Sequence, residues 1–361
     1  SLFTLLSRSA RSRIAALVCY LCLQMATRWG IISAGKISSD FVAAVKLLPE
    51  GEHTILGVAA RSKLLAEEFA KKYNIPLSYG SYEEMLCNPE IEVVYIGVLH
   101  PLHYEVAKLS LEHGKSVLCE KPLCMNAKET KQLIELAKKK KLFLMEAVWS
   151  RCFPVYEELR KALLSKTIGD VLYVNVQFGA KIEVERIWKK ELGGGTVLDI
   201  GIYTLQMTTL VLGNSPTKVV AAGHLNDEGV DEAMSCVLSY PGGAAAVLST
   251  HCKVLLPNTA CIVGTKGSIT IHAPFWAPTK LTRLNESYEV IEEKEFPLPE
   301  SKHVFNFPNG AGMSYEAAEV RKCLQAGLTE CPLITHEDSI VLATLEDEIR
   351  KQIGVHYPQD D

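Results

Sequence analysis

The sequence predicts an α/β fold: a doubly wound parallel sheet in the first part of the chain, then a smaller-period unit built on an antiparallel sheet. Three observations predict it. Short apolar strands alternate with helical patterns from Arg28 to Val148. The pattern changes near Arg151, beyond which strand-like runs cluster and are broken by Pro, Gly and Asn. The chain has 361 residues, enough for about two domains, and 48% hydrophobic residues, enough for sizeable cores.

Taken in order, Trp29–Ser33 is a short apolar strand, and Lys36–Leu48 has helical spacing that Pro49 and Gly51 end. Thr54–Ala60 is a second strand, and Ser62 stands where it can cap a helix running to Tyr73. Glu92–Val98 is a third strand; Pro101–His113 is a helix with Gly114 as its stop. A strand at Ser116–Cys119, a helix at Asn126–Lys140 and a strand at Leu142–Val148 complete the repeated β-α-β pattern. A helix at Val155–Ser165, the alternating strand Val171–Phe178 and a helix at Thr196–Leu212 follow. Runs at 217–225, 233–240, 244–251, 259–263 and 268–272 read as strands, with Tyr240-Pro-Gly-Gly243 as a hairpin turn. Helices near Ser314–Gln325 and Glu337–Ile353 close the chain. The expected division is residues 25–148 for the parallel-sheet domain and 149–361 for the second.

The net charge of −4 and the lack of a basic stripe argue against nucleic acid and membrane surfaces as partners. Of eleven cysteines, nine are scattered without paired metal-ligand spacing, and Cys19-Leu-Tyr-Cys22 has CxxC spacing but lies in an apolar run with no second pair, so no metal is expected. They read as reduced thiols of a cytoplasmic protein. Residues 1–24 differ: Arg8, Arg11 and Arg13, several serines, no acid, then the apolar run Ile14–Leu23. That stretch reads as an organelle-targeting segment, a signal-like segment, or sequence upstream of a natural start near Met25, the reading preferred here.

The first strand-to-helix turn is Ser33-Ala34-Gly35-Lys36-Ile37-Ser38. It has the spacing of a dinucleotide-binding turn but only the middle glycine, the one that lets backbone approach a pyrophosphate at a helix N-terminus. The second strand ends in Ala59-Ala60-Arg61-Ser62, with no acid before Glu67. An acid there would hold the ribose hydroxyl of NAD. Arg61, with Ser62, instead suits the 2′-phosphate of NADP. Gly97 through His103 follows the third strand and forms another lip of the crevice, with His100 and His103 read as cofactor-loop and helix-start residues.

Two constellations carry chemistry. Glu120-Lys121-Pro122 sits where a parallel strand ends, the place where open α/β sheets bind ligands. Lys121 there is a solvated loop charge or a positioned cation. Gly193-Gly-Gly195-Thr-Val-Leu-Asp199-Ile-Gly-Ile-Tyr203 places Asp199 and Tyr203 four apart on one helix face. That pair is either structural or, with a neighbouring cation, catalytic. An ammonium such as Lys121 would lower the tyrosine pKa towards a working range.

These two segments resemble the glucose–fructose oxidoreductase/inositol dehydrogenase (Gfo/Idh/MocA) family, over about residues 25–355. Tyr203 departs from the histidine many members carry at that position. The resemblance implies a Rossmann domain joined to an α+β domain with a large open, mainly antiparallel sheet, and a homodimer formed through that sheet. It implies an NADP-dependent dehydrogenase of a vicinal trans-dihydrodiol or of a cyclic sugar such as D-xylose. Lys121 and Tyr203 would match the catalytic pair, with Asp199 orienting Lys121 or a substrate hydroxyl. Trp149 and Trp276 would line the substrate pocket, although without the resemblance ordinary core packing is the better reading of either tryptophan. Glu120 would face the cofactor. An NADP(H)-binding sensor or inactive paralogue on the same fold is the competing expectation.

Overall fold

The computed structural model describes residues 26–361; the readings made for residues 1–24 lie outside this range. The first sheet contains β1 (Thr27–Ile32), β2 (His53–Ala59), β3 (Leu77–Tyr79), β4 (Val93–Ile96), β5 (Ser116–Glu120) and β6 (Leu144–Ala147). All its pairings are parallel, in the order β3-β2-β1-β4-β5-β6. The order reverses between β1 and β4, which opens a crevice beyond their carboxyl ends.

The helices of this unit are α1 (Lys36–Val45), α2 (Lys63–Tyr73), α3 (Tyr82–Leu86), α4 (His103–Glu112) and α5 (Ala127–Lys140). Strand residues alternate between the two faces. Val93, Tyr95 and Leu118 join one core; Val94, Ile96, Val117 and Cys119 join the other. Buried on both sides, these strands read as continuous apolar runs. Phe41 of α1 stacks on Tyr95 with centroids 3.9 Å apart.

The second sheet has eight strands in the order β14-β13-β12-β11-β7-β10-β9-β8. They are β7 (Val171–Gly179), β8 (Lys218–Leu225), β9 (Asp231–Ser239), β10 (Ala245–His251), β11 (Ala260–Gly264), β12 (Gly267–Ile271), β13 (Lys280–Leu284) and β14 (Val290–Glu295). Only β7 and β10 pair in parallel; the rest are antiparallel. The expected hairpin turn joins β9 to β10, with the Tyr240 amide bonded to the Ala244 carbonyl at 2.8 Å. The remaining helices are α6 (Pro154–Leu164), the one-turn α7 (Glu185–Trp188), α8 (Ile202–Leu212), α9 (Met313–Gln325) and α10 (His336–Ile353).

The chain returns to the first unit at its end. Helix α9 packs on α1, and α10 packs on both α5 and β8. Buried Arg350 of α10 pairs with Asp347 and Asp360, each at 2.6 Å, and donates to the Met125 carbonyl at 3.2 Å. On the opposite side, the Asp40 carboxylate of α1 accepts from the amides of Asn306 and Phe307 at 2.8 to 3.0 Å. These contacts clamp the two sheets around the crevice.

Several elements depart from the sequence reading. β3 is a three-residue edge strand directly after Pro76, too short for a periodic signal. β14 is Val-Ile-Glu-Glu-Lys-Glu, an edge strand without an apolar face. Ser62 occupies the N-cap position of α2 but its side chain does not cap the helix. The predicted helix from Thr196 is not uniform: Val197–Gly201 forms a π-helical turn before α8 begins. Such turns are frequent at functional sites.

Candidate active site

The Lys121 loop leaves β5 at the crevice, and its Lys121–Pro122 peptide is cis. Two buried groups fix this loop. Glu146 of β6 accepts the Leu123 amide at 2.8 Å. The His103 Nδ1 donates to the Pro122 carbonyl at 2.7 Å, with Nε2 3.1 Å from the Val98 carbonyl. His103 is fully buried, and burial holds its pKa down to about 4. Both ring nitrogens are taken by backbone, so the expected cofactor role of His103 gives way to bracing the loop.

From the other domain comes Asp199, on the π-helical turn. Two features set that turn. Asp231 of β9 caps its start, accepting from the Thr196 hydroxyl at 2.6 Å and the Val197 amide at 2.8 Å. Gly195 has φ +105°, and a Cβ there would lie 2.4 Å from the Asp231 carboxylate, so only glycine fits. Gly193 lets the chain pass against the His100–Pro101 lip, where a Cβ would meet Pro101 at 2.9 Å. His100 seals that lip by donating Nδ1–H to the Gly193 carbonyl at 3.1 Å.

Lys121, Arg186 and His100 converge on Asp199. The Lys121 ammonium lies 3.2 Å from Asp199 Oδ1 and also bonds the Asp199 main-chain carbonyl. Arg186 of α7 reaches the same Oδ1 at 2.7 Å, and His100 Nε2 stands 3.9 Å away. Burial alone would raise the Asp199 carboxyl; the charges of Lys121 and Arg186 outweigh it and hold the group well below the usual range. Arg186 was not legible in the sequence: Glu-Arg-Ile-Trp carries no motif.

Tyr203 lies 7% exposed beside this pair. Its hydroxyl accepts from the Trp149 indole at 2.9 Å, and the Lys121 ammonium sits over its ring, 5.3 Å from the centroid. Lys121 therefore meets the face of the ring, while its hydrogen bonds go to Asp199. The expected lowering of the tyrosine pKa is not found. Burial first, then the Glu120 charge, push Tyr203 well above its ordinary value, with Asp199 and Glu316 adding to the rise against the Trp149 hydrogen bond. The resting tyrosine is a neutral proton donor.

The apolar wall is built from aromatics. Trp149 follows β6, and Arg151 on the same turn bonds Gln206 of α8 at 2.8 Å, locking the turn to the helix that carries Tyr203. Phe178, which the sequence reading missed, packs 5.8 Å from Tyr203 and stacks on Trp276 with centroids 3.6 Å apart. Trp276 remains partly exposed. Glu120 accepts from the buried Tyr95 hydroxyl at 2.6 Å and from the Lys121 amide at 3.3 Å. Behind it, the fully buried Glu316 has both carboxyl oxygens without hydrogen-bond partners, and burial keeps it protonated well above the usual range.

The dinucleotide turn fits a pyrophosphate. Gly35 is the N-cap of α1 in extended conformation, no side chain caps the helix, and the Ser38 hydroxyl is buried without a partner. Free helix-terminal amides suit a bound anion. Ser33 precedes the turn at φ +91°, Lys36 is exposed at the first helical position, and Ile37 is half-buried behind it. A Cβ on Gly97 would meet Ser38 Oγ at 2.6 Å, so this glycine lets the first turn of α1 settle onto the end of β4. Arg61 is exposed after β2, beside the uncommitted Ser62 hydroxyl.

Fold and site together define an oxidoreductase with a nicotinamide dinucleotide cofactor. Residues 27–148 match the NAD-binding Rossmann domain of the Gfo/Idh/MocA oxidoreductases, and residues 156–270 match the GFO/IDH/MocA C-terminal domain. The chain belongs to this family. It is 48% identical over 336 residues to trans-1,2-dihydrobenzene-1,2-diol dehydrogenase of Xenopus tropicalis, covering 92% of this chain and 100% of the relative. The Homo sapiens protein of the same name is 45% identical over 338 residues, covering 93% and 99%. Among solved structures, a 3-ketoreductase from Actinomadura kijaniata in complex with NADP and TDP-benzene superposes with a TM-score of 0.78 at 23% identity, covering 92% and 99%. Levoglucosan dehydrogenase in complex with NADH and levoglucosan gives 0.79 at 20% identity, covering 91% and 98%.

Proposed function

We propose that the chain is an NADP-dependent dehydrogenase of vicinal trans-dihydrodiols, with cyclic sugars such as D-xylose as further substrates. The observation that carries the reading is a Tyr203 ring beside a Lys121 ammonium that Asp199 holds in place, under a wall of Trp149, Phe178 and Trp276. Flat apolar walls with a few convergent polar groups suit a ring bearing hydroxyls. The name shared by relatives nearly half identical to this chain supports the diol as substrate.

The dinucleotide, when bound, supplies the hydride acceptor. Residues 33–37, Gly97 and the Arg61–Ser62 pair would hold it, and the lack of an acid between the end of β2 and Glu67 favours NADP. Lysine has three donors; with Asp199 taking two, the third is available to a substrate oxygen. The Tyr203 hydroxyl gives its proton to that oxygen in carbonyl reduction; in oxidation the tyrosinate, formed once the hydroxyl has lost its proton to solvent, takes the proton of the alcohol. Asp199 and Arg186 keep Lys121 still while this happens. A homodimer through the second sheet belongs to the same proposal, supported by the exposed Leu172, Tyr173, Val220 and Val237 on its strands.

The direct test is spectrophotometric reduction of NADP with benzene trans-dihydrodiol and D-xylose, with NAD in parallel. Turnover of the dihydrodiol with NADP is expected. Tight NADP binding without turnover of any diol, sugar or dicarbonyl would instead support a sensor.

A further inference from the structure

Behind the Trp149 turn lies a second cluster of reactive side chains that the proton chemistry does not use. Glu319 and Cys323 stand four residues apart on α9 and share a face. Cys331 lies on the turn between α9 and α10. One carboxylate oxygen of Glu319 and the sulfurs of Cys323 and Cys331 all lie within 4.8 Å of one another. The two cysteines are 2% and 0% exposed. The Glu319 side chain is 15% exposed, which leaves a path from solvent.

The turn carrying Cys331 is shaped around its sulfur. Cys331-Pro332-Leu333-Ile334 closes on itself: the Ile334 amide returns to the Cys331 carbonyl at 3.3 Å, and the two residues form an isolated bridge. The amides of Leu333 and Ile334 also face the Cys331 sulfur, and the Cys323 thiol is hydrogen-bonded to it. Cys152 ends the Trp149 turn, and the charges of Cys331 and Glu319 act on it.

We propose that Glu319, Cys323 and Cys331 form a binding site for a thiophilic divalent cation of the zinc class. Two thiolates and a carboxylate suit a borderline-soft tetrahedral ion. Calcium and magnesium require all-oxygen sets and are excluded by the sulfurs. Binding displaces one proton from each thiol, forms two metal–sulfur bonds and one metal–oxygen bond, and draws the three donors inward, since zinc–sulfur bonds are about 2.3 Å long. The three ligands leave one net negative charge on the zinc complex. Two cations stand against it: Arg160, which acts on Cys152, and Lys322, 3.0 Å from Glu319.

The site also has something to hold. The Leu144 amide bonds the Thr329 carbonyl at 3.1 Å, and His336 Nε2 bonds the Leu144 carbonyl at 3.0 Å. The Cys331 turn is thereby tied to β6, the strand that delivers Trp149 to the active site. A bound ion would fasten α9, this turn and the Trp149 turn as one unit. The spacing hid it: Cys323 and Cys331 are separated by seven residues, outside any paired zinc-ligand pattern.

The test uses the whole chain, reduced and stripped of metal, titrated with Co²⁺ as spectroscopic probe and with Zn²⁺ against a chromophoric chelator. One equivalent of Co²⁺ should bind with thiolate-to-metal charge-transfer absorption, and Zn²⁺ should displace it. Cys323→Ser and Cys331→Ser should abolish the band. Glu319→Gln, a partly exposed change that spares the core, should weaken Zn²⁺ binding tenfold or more. Zn²⁺ should raise the thermal midpoint of the wild type and leave that of Cys331→Ser unmoved. A wild type without the band, or a band surviving in both cysteine variants, overturns the site. If those variants fail to fold, unchanged Zn²⁺ affinity in Glu319→Gln overturns it.

Discussion

The Lys121 ammonium is held twice by Asp199, at the carboxylate and at the main-chain carbonyl, while the face of Tyr203 lies beside it. The cation is fixed over the tyrosine ring, 5.3 Å from its centroid, with its hydrogen bonds directed to Asp199. In the proposed mechanism the third donor of Lys121, not taken by Asp199, serves the substrate oxygen. Lys121→Met removes the donor and keeps the side-chain bulk. Steady-state kinetics should show kcat reduced by about a thousandfold, the scale of losing a charged group at the reacting oxygen. Fluorescence titration should show NADPH binding within a few-fold of wild type. Full activity in this variant would end the proposed mechanism.

Asp199 acts through Lys121 and therefore behaves as a positioning residue. Asp199→Asn keeps a hydrogen-bond acceptor but removes the charge that Lys121 and Arg186 share. Misplacing a catalytic group by about 1 Å costs about a hundredfold, and a loss of that order in kcat is expected with KM little changed. A purely structural role would lower stability and leave kcat per folded molecule intact, which thermal melts run beside the kinetics would reveal.

The environment of Tyr203 sets a direction for the pH profile. Burial, Glu120, Asp199 and Glu316 keep its hydroxyl protonated well above the ordinary tyrosine range. A protonated tyrosine is ready to donate to a carbonyl and poorly suited to accept from an alcohol. Oxidation should therefore rise steadily with pH through 9, and carbonyl reduction should be flat over the neutral range. Trp149→Phe deletes the one hydrogen bond that opposes the rise, so the alkaline limb should move further up. An oxidation rate already at its plateau by pH 8 would contradict this account.

Much of this was legible in the sequence because local signals and the fold agree. The β-α-β alternation follows from strands buried on two faces, and the Glu120-Lys121-Pro122 and Gly193–Tyr203 segments announce themselves by glycine placement and charge at strand ends. What the sequence could not supply is who faces whom. Lys121 and Asp199 lie 78 positions apart, and only the packed domains show that Asp199, not Tyr203, takes the ammonium. Arg186 and Phe178 sit in segments of ordinary composition. The burial of Tyr203 itself, with Glu120 beside it, is what reverses the expected tyrosine pKa. β14 escaped detection because an exposed edge strand needs no apolar alternation.

Arg61 stands exposed after β2 with the Ser62 hydroxyl beside it, uncommitted to the helix it precedes. A guanidinium pairs with a phosphate in bidentate fashion, and a carboxylate in its place would repel it. Arg61→Asp should lower kcat/KM for NADP at least tenfold and shift the NADP-to-NAD ratio towards NAD. The exposure of the site makes a folding defect an unexpected cause of any loss. An unchanged cofactor ratio would remove the phosphate contact from the proposal.

Glu146 links the Lys121 loop to stability. Burial raises its carboxyl from the ordinary 4.5 to about 7, against opposing hydrogen bonds from Ser339 and the Leu123 amide. Between those values the native state holds a proton that the unfolded chain releases, so stability falls as pH rises through this window. Below about pH 4.5 both states are protonated and the contribution is constant. A shift of this size corresponds to about 3 kcal/mol for a fully buried group. Glu146→Gln keeps an oxygen to accept the Leu123 amide and cannot ionise. Denaturant melts at pH 5 and pH 8 should show the wild type losing more stability than the variant across that interval. Equal losses in both would mean that Glu146 stays charged in the native protein, bound to a partner the buried pocket does not now supply.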